Sequence, residues 1–264
     1  LMLAKEVAEE EGFEVLQMYV DALWLKKKGC SKPEHFEEVM HKIVNRTGLA
    51  IALDGVFRWV AFLPSKMDAR IPIANRYFGV FQSGEIKVRG LEARRRDTPR
   101  WIGQVQTEMI ARLGQARNRS ELPQALNAAF EVYQDALAAL KAGRVPLELL
   151  VINGKVSYAL EAYKSATAAV RAARQLVKAG MQVRPGQRVR FLFMQGEPDV
   201  RAWELSGKVD PHSLDLRKYM ELLAKAGGSV LLPFGIAPEV LMEWTLKGGI
   251  QLPLPVQAFD LAVV

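Results

Sequence analysis

Four arginines, Arg94, Arg95, Arg96 and Arg100, crowd around Thr98-Pro99, a pair that opens a helix. Guanidinium groups beside the free amides of a helix start can hold phosphate oxygens through charge-assisted, often bidentate, hydrogen bonds. Arg76 and Tyr77 directly precede an alternating run that reads as a strand, so a fixed charge and a phenolic donor are presented rigidly there. Lys164, Arg184, Arg188 and Arg190 form a second basic group. Asp21 is an isolated carboxylate in the bend Gln17-Met18-Tyr19-Val20-Asp21, and aspartate in such a place binds nearby backbone amides. Tyr19 lies in the same bend with no companion base, and reads as a packing residue rather than a nucleophile.

The distribution of charge sets these groups apart. Over 264 residues, 36 Lys+Arg stand against 29 Asp+Glu, a net charge of +7. Residues 76–119 carry +6 and 141–190 carry +8, whereas 1–75, 120–140 and 191–264 carry −1, −3 and −3. Solvated faces usually mix both signs, so this segregation favours an extended phosphate-contacting surface. One cysteine, Cys30, forms no internal disulfide, and His35, His41 and His212 lack zinc-ligand spacing. No stretch reaches the roughly 20 apolar residues of a spanning helix, and no P-loop pattern occurs. A soluble cytoplasmic chain without a membrane partner is expected. The five tryptophans are dispersed and read as core anchors, which leaves no stacking platform for single-stranded bases.

The elements that must position these residues follow from periodicity. A helix is expected over 3–11, closed by Gly12, then short strands over 13–16 and 22–25 around the bend, which lacks the Gly, Asn or Pro that tight turns favour. Pro33 starts a helix to about Asn45, with Phe36, Val39, Met40 and Ile43 on its buried face. Strands are expected at 49–53 and 56–62, and a hairpin over 77–91 turning at Gln82-Ser83-Gly84-Glu85. Beyond Thr98-Pro99 helices dominate, at 98–114, 121–141, 166–179 and 215–227, with one strand at 188–194; the end, QLPLPVQAFDLAVV, is too interrupted by proline for a regular helix. The change of pattern places a domain boundary near 92–98.

Several segments carry a resemblance. GFEVLQMYVDALWLK over 12–26 is similar to the hairpin GFxVxYGDTDSLxxK, Ala74-Asn75-Arg76-Tyr77 to a KKRY motif, and GLEARRRDTP over 90–99 to GLExRRxD. Val145-Pro146, Leu150-Val151-Ile152, Tyr163-Lys164 and Val183-Arg184-Pro185-Gly186 follow in the matching order. Together they resemble the C-terminal part of a family B DNA polymerase. The resemblance implies an α+β fold: the C-terminal part of a palm over 1–95, built of antiparallel strands with helices, followed by a mainly α-helical thumb over 96–264. It implies that the chain is a piece of a longer polymerase, because the fingers, the exonuclease and the first palm carboxylate motif have no counterpart here. Its compact, insertion-poor character suits a prokaryotic source.

The same resemblance implies roles. Arg76 and Tyr77 fall where the family touches the minor-groove side near the primer end, although Ala74 and Asn75 replace two basic residues. Arg94, Arg95, Arg96, Arg100, Lys164, Arg184 and Arg188 would grip the backbone of primer–template or other double-stranded DNA. Aligned with YGDTDS, Tyr19 takes the place of the first aspartate and Asp21 that of the second. Asp21 is then the one residual catalytic and metal-ligand position, and Mg²⁺ is expected only in an active full-length parent. Two other outcomes are compatible with these residues: a piece of a still-active polymerase, or an inactivated paralogue that binds another replication or repair protein through 191–264.

Overall fold

A computed structural model describes residues 1–247 except 66, 69 and 208; the proline-interrupted end lies outside the described residues. The described chain forms two compact units. Leu1–Leu91 and Ile110–Ala125 belong to the first, and Glu92–Met109 and Leu126 onward to the second. The architecture is α+β, as expected, with three small antiparallel sheets among the helices.

In the first unit, helix α1 (Met2–Glu10) ends just before Gly12, whose φ of 76° is natural only for glycine. Pro33–Phe36 makes a 3₁₀ turn into α2 (Glu37–Thr47), which Gly48 closes in the left-handed conformation. Val7, Ala8, Phe13, Phe36, Val39 and Ile43 bury together, and Met40 is half-buried against them. Strands β1 (Glu14–Tyr19) and β2 (Ala22–Lys26) form a hairpin with a bulge between Val15 and Gln17.

The bend expected over Gln17–Asp21 is in fact a two-residue loop, Val20-Asp21, with Tyr19 paired to Ala22. The loop forms without glycine because Val20 takes a φ of 53°, where a β-branched residue is strained. Val20→Asn is expected to raise stability by about 1 kcal/mol, since asparagine tolerates this conformation; urea unfolding of the two proteins checks it.

Strands β3 (Phe57–Pro64), β4 (Pro72–Phe81) and β5 (Ile86–Arg89) follow in sheet order β3-β4-β5. The turn after β4 is the predicted one, with Gly84 at φ 90°. The strand expected at 49–53 does not form. Its alternating apolar residues Leu49, Ile51 and Leu53 are left exposed, so no buried face forms to hold a strand there. On one side of the sheet Trp24 meets the rings of Phe62 and Tyr77 edge-on at 5.6 and 5.5 Å, and Phe57 stacks on Phe81 at 4.3 Å. Such pairs add about 0.5–1.5 kcal/mol each beyond burial.

The second unit is less exclusively helical than the periodicity suggests. Helices α3 (Arg100–Leu113) and α4 (Leu122–Lys141) each carry residues of both units. After the single turn α5 (Leu147–Leu150), strand β6 (Ile152–Lys155), helix α6 (Ala168–Lys178), strand β7 (Arg188–Phe193) and strand β8 (Val200–Ala202) make a three-stranded sheet in the order β6-β7-β8. Only β7 was legible; β6 and β8 have four and three residues, too short for alternation to register.

Helices α7 (Leu216–Leu231) and α8 (Pro238–Lys247) complete the unit. Helix α7 runs straight through Gly227-Gly228 because those positions meet neighbours closely. A Cβ on Gly227 would lie 2.6 Å from the Tyr133 ring, and one on Gly228 would lie 3.1 Å from Pro238. The Tyr133 hydroxyl shares a 2.5 Å hydrogen bond with Thr245, so even this buried phenol is satisfied.

Candidate nucleic-acid interface

The most basic turn of the chain is also one of its best anchored. Glu92–Arg94 forms a 3₁₀ turn just ahead of α3. Beneath it lies Gln106, a fully buried residue of α3. Its side-chain oxygen accepts from the backbone N–H of Ala93 at 2.7 Å, and its amide donates to Glu92 at 2.9 Å and to the carbonyl of Ala226 at 2.8 Å. Every polar atom of this amide is used toward the turn and α7. Above it Arg94, Arg96 and Arg100 are exposed, with no side-chain hydrogen bond or ion pair among the described residues.

Arg95 is held differently. Its Nε and Nη2 donate to the two carboxylate oxygens of Asp97 at 2.9 and 2.7 Å, a bidentate pair within the turn. That hydrogen bond holds the Asp97 carboxyl below the usual carboxylate range, helped by the charge of Arg188. The structure thus brings Arg188 of β7 into the electrostatic reach of this turn. A group so depressed adds stability that is complete above its unfolded pKa and disappears as pH falls through its lower folded value. Thermal unfolding between pH 5 and 2 is therefore expected to decline less steeply in Asp97→Asn than in the parent chain. Beside the turn runs a groove of about 840 Å³, lined by Ala93, Arg95, Thr98, Arg100, Gln104 and Glu108 among others.

The other basic residues of the second unit sit on loops and strand ends. Lys164 is exposed, next to Tyr163, whose hydroxyl accepts from the backbone N–H groups of Ser157 and Tyr158. Arg184 is exposed ahead of the Pro185-Gly186 turn, and its backbone N–H donates to Gln187. Arg188 donates from Nη1 to the carbonyl of Asn153 at 2.9 Å, across the β6–β7 ladder.

In the first unit, Arg76 and Tyr77 occupy successive positions of β4 and so face opposite sides. Tyr77 is only 5% exposed, inside the aromatic cluster of Trp24, Phe57 and Phe62. Burial pushes its hydroxyl pKa up, while Lys87 and Arg89 pull the other way. Arg76 is half-buried, with its side-chain stem over Gly90.

Asp21 is exposed in the two-residue loop. The neighbouring Tyr19 hydroxyl accepts from the Asn75 side chain at 3.4 Å, and Gln17 donates to the carbonyl of Pro72 at 2.9 Å. A pair of divalent ions requires several hard oxygen ligands, and the loop offers one carboxylate beside a phenol and two amides. Among the described residues no group of three or more His, Cys, Asp or Glu is placed to hold a metal ion.

Sequence reasoning missed Gln106. Its signal was present: a polar residue on the stripe Ile102, Gln106, Met109, Leu113, where helical spacing demands apolar side chains. In the 191–264 region the structure shows a groove along α7 and α8 lined by Phe193, Leu222, Met242 and Leu246 together with charged residues such as Lys225 and Glu239. No described helix is long and apolar enough to cross a membrane.

Most of the chain matches a known family. The description "DNA polymerase family B" fits residues 33–224, and the chain belongs to that family. It is 26% identical over 232 residues to "DNA polymerase 1" of Saccharolobus solfataricus, covering 87% of this chain and 25% of that protein. It is 25% identical over 262 residues to "DNA polymerase" of Archaeoglobus fulgidus, covering 94% and 31%. The chain thus spans between a quarter and a third of the length of these relatives. In fold it is similar to the family B DNA polymerase of Pyrobaculum calidifontis, with a TM-score of 0.62 at 21% identity, over 89% of this chain and 28% of the other.

Proposed function

We propose that this chain is the palm and thumb portion of a family B polymerase that grips primer–template duplex by its phosphate backbone and whose hairpin no longer serves a two-metal site. The observation that carries the reading is the arginine turn: three successive guanidinium groups on a backbone pinned from below by Gln106, directly ahead of a 14-residue helix. The palm portion covers 1–95 and the thumb the remainder. Arg94, Arg96 and Arg100 supply free cations, and Arg95 can exchange its Asp97 partner for a phosphate oxygen. Arg76, Lys164, Arg184 and Arg188 extend the basic surface, whereas Tyr77 acts by packing the strand that carries Arg76. Contacts to phosphates position a protein without reading sequence, so binding is expected to be sequence-independent.

At the hairpin, Tyr19 replaces an anion by a neutral phenol, and Asp21 alone lacks the charge to hold two cations. The purified chain is expected to extend no primer with Mg²⁺ or Mn²⁺, and to bind primer–template and blunt duplex more tightly than a single strand. Template-directed incorporation abolished by Asp21→Ala would refute the hairpin assignment, and equal affinity for single strands would refute the duplex grip. A second reading, a scaffold for another replication or repair protein, draws on the α7–α8 groove. Capture of such a protein that survives nuclease treatment and fails with Met242→Asp would favour it.

A further inference from the structure

The dispersed tryptophans provide no platform for unpaired bases, but a tyrosine does. Tyr158 is the most exposed large apolar side chain among the described residues of the second unit, at 65%. It lies between the segments 150–152 and 163–164 that carry the family resemblance and belongs to neither. Its ring meets that of Tyr163 edge to face, with centroids 5.8 Å apart and planes at 63°. The Tyr163 hydroxyl accepts from the backbone N–H groups of Ser157 and Tyr158 at 2.6 and 3.2 Å, so the loop that carries Tyr158 is tied to the residue its ring leans on. An edge-to-face contact occupies at most one face of a ring, which leaves at least one face of Tyr158 open to solvent.

The surroundings of the ring are cationic. Lys155 ends β6 three residues before Tyr158, Lys164 follows Tyr163, and Arg174 of α6 donates from Nη2 to the Leu160 carbonyl of the same loop at 3.3 Å. All three cations are exposed, and Glu161 is the one acid on the loop between Lys155 and Lys164. An open aromatic face beside cations suits a nucleotide whose base stacks while its phosphates are held by charge. A ring already fixed in place loses little freedom when a base settles on it. Duplex DNA keeps its base faces stacked within the helix, so such a ring selects unpaired nucleotides.

We propose that Tyr158 is a stacking post for an unpaired base in the single-stranded nucleotides that flank the gripped duplex. The inference rests on the duplex-gripping function proposed above and adds to it a contact with bases rather than phosphates.

The test is fluorescence anisotropy of the parent chain, Tyr158→Ala and Tyr158→Phe on three labelled probes: a blunt duplex, the same duplex with a single-stranded overhang at each end, and that probe with abasic overhangs, which keep the phosphates and lack the bases. The parent is expected to bind the base-bearing overhangs about tenfold more tightly than the abasic ones. Tyr158→Ala should erase that difference and Tyr158→Phe should keep it, while all three proteins bind the blunt duplex alike and unfold at the same temperature. Equal binding of base-bearing and abasic overhangs by the parent, or a preference that survives in Tyr158→Ala, would overturn the stacking post and leave the duplex grip intact. A loss in Tyr158→Ala that is as large on the blunt duplex would also overturn it, by making the ring part of the grip. No measurable binding of any probe by the parent would overturn both readings.

Discussion

Gln106→Ala is expected to cost about 4 kcal/mol of stability and to loosen the arginine turn. The substitution strands the Ala93 N–H and the Glu92 carboxylate, which is only 7% exposed, and takes from the helical Ala226 carbonyl its second donor. Each buried polar group left unpaired costs about 1–3 kcal/mol, and a charged one more. Removing the amide therefore does more damage than its volume suggests. Gln106→Glu should also destabilise, because it sets a second carboxylate against Glu92. Adding Glu92→Gln to that variant restores the donor–acceptor pairing between the two side chains, and should recover part of the loss. Urea unfolding of the parent, Gln106→Glu, Glu92→Gln and the double variant, read as a double-mutant cycle, measures the coupling. Additive losses would show that the amide fills space and does not hold the turn.

Gly90→Ala is expected to be of similar severity for a different reason. Gly90 has a φ of 67°, and a Cβ there would lie 2.3 Å from the Asn75 carbonyl and 2.9 Å from the Arg76 side chain. The left-handed backbone alone costs an L-residue about 1–2 kcal/mol, and the overlap is with backbone that cannot swing aside. A total loss of about 3 kcal/mol or more is expected by thermal unfolding. Gly84→Ala is the control: it has a φ of 90° with nothing within 4 Å of its Cβ, so only the backbone cost applies. Equal losses at the two positions would mean that close packing against β4 contributes nothing.

These two residues show where the sequence was readable. Gly90 belongs to GLEARRRDTP, a stretch identifiable from its residues, yet its strained approach to Asn75 depends on β4 pairing with β5 and could not be foreseen locally. The long amphipathic helices and the β4–β5 hairpin were legible because their periodicity is strong and their turn residues conventional. The strand at 49–53 misled because alternation marks a strand only where its apolar side is buried, and here Leu49, Ile51 and Leu53 stay exposed. The hairpin loop misled in the opposite sense: its residues resist a tight turn, and it forms despite the strain at Val20. The Arg95–Asp97 pair joins residues two apart, but the other cation that influences Asp97 is Arg188, about 90 residues along the chain and out of reach of a local reading. Charge segregation indicated two basic blocks; only the folded second unit shows that parts of both meet.

The central claim, that the arginine turn grips duplex backbone, is tested most directly by the salt dependence of anisotropy with a labelled primer–template, comparing the parent chain with Arg94→Ala/Arg95→Ala. Tight binding in the parent that falls steeply with salt, and a variant whose slope is lower by about 1.8 for two lost phosphate contacts, is the predicted result. Negligible binding by the folded parent chain at low salt, or a variant indistinguishable from it in both affinity and slope, would contradict the account.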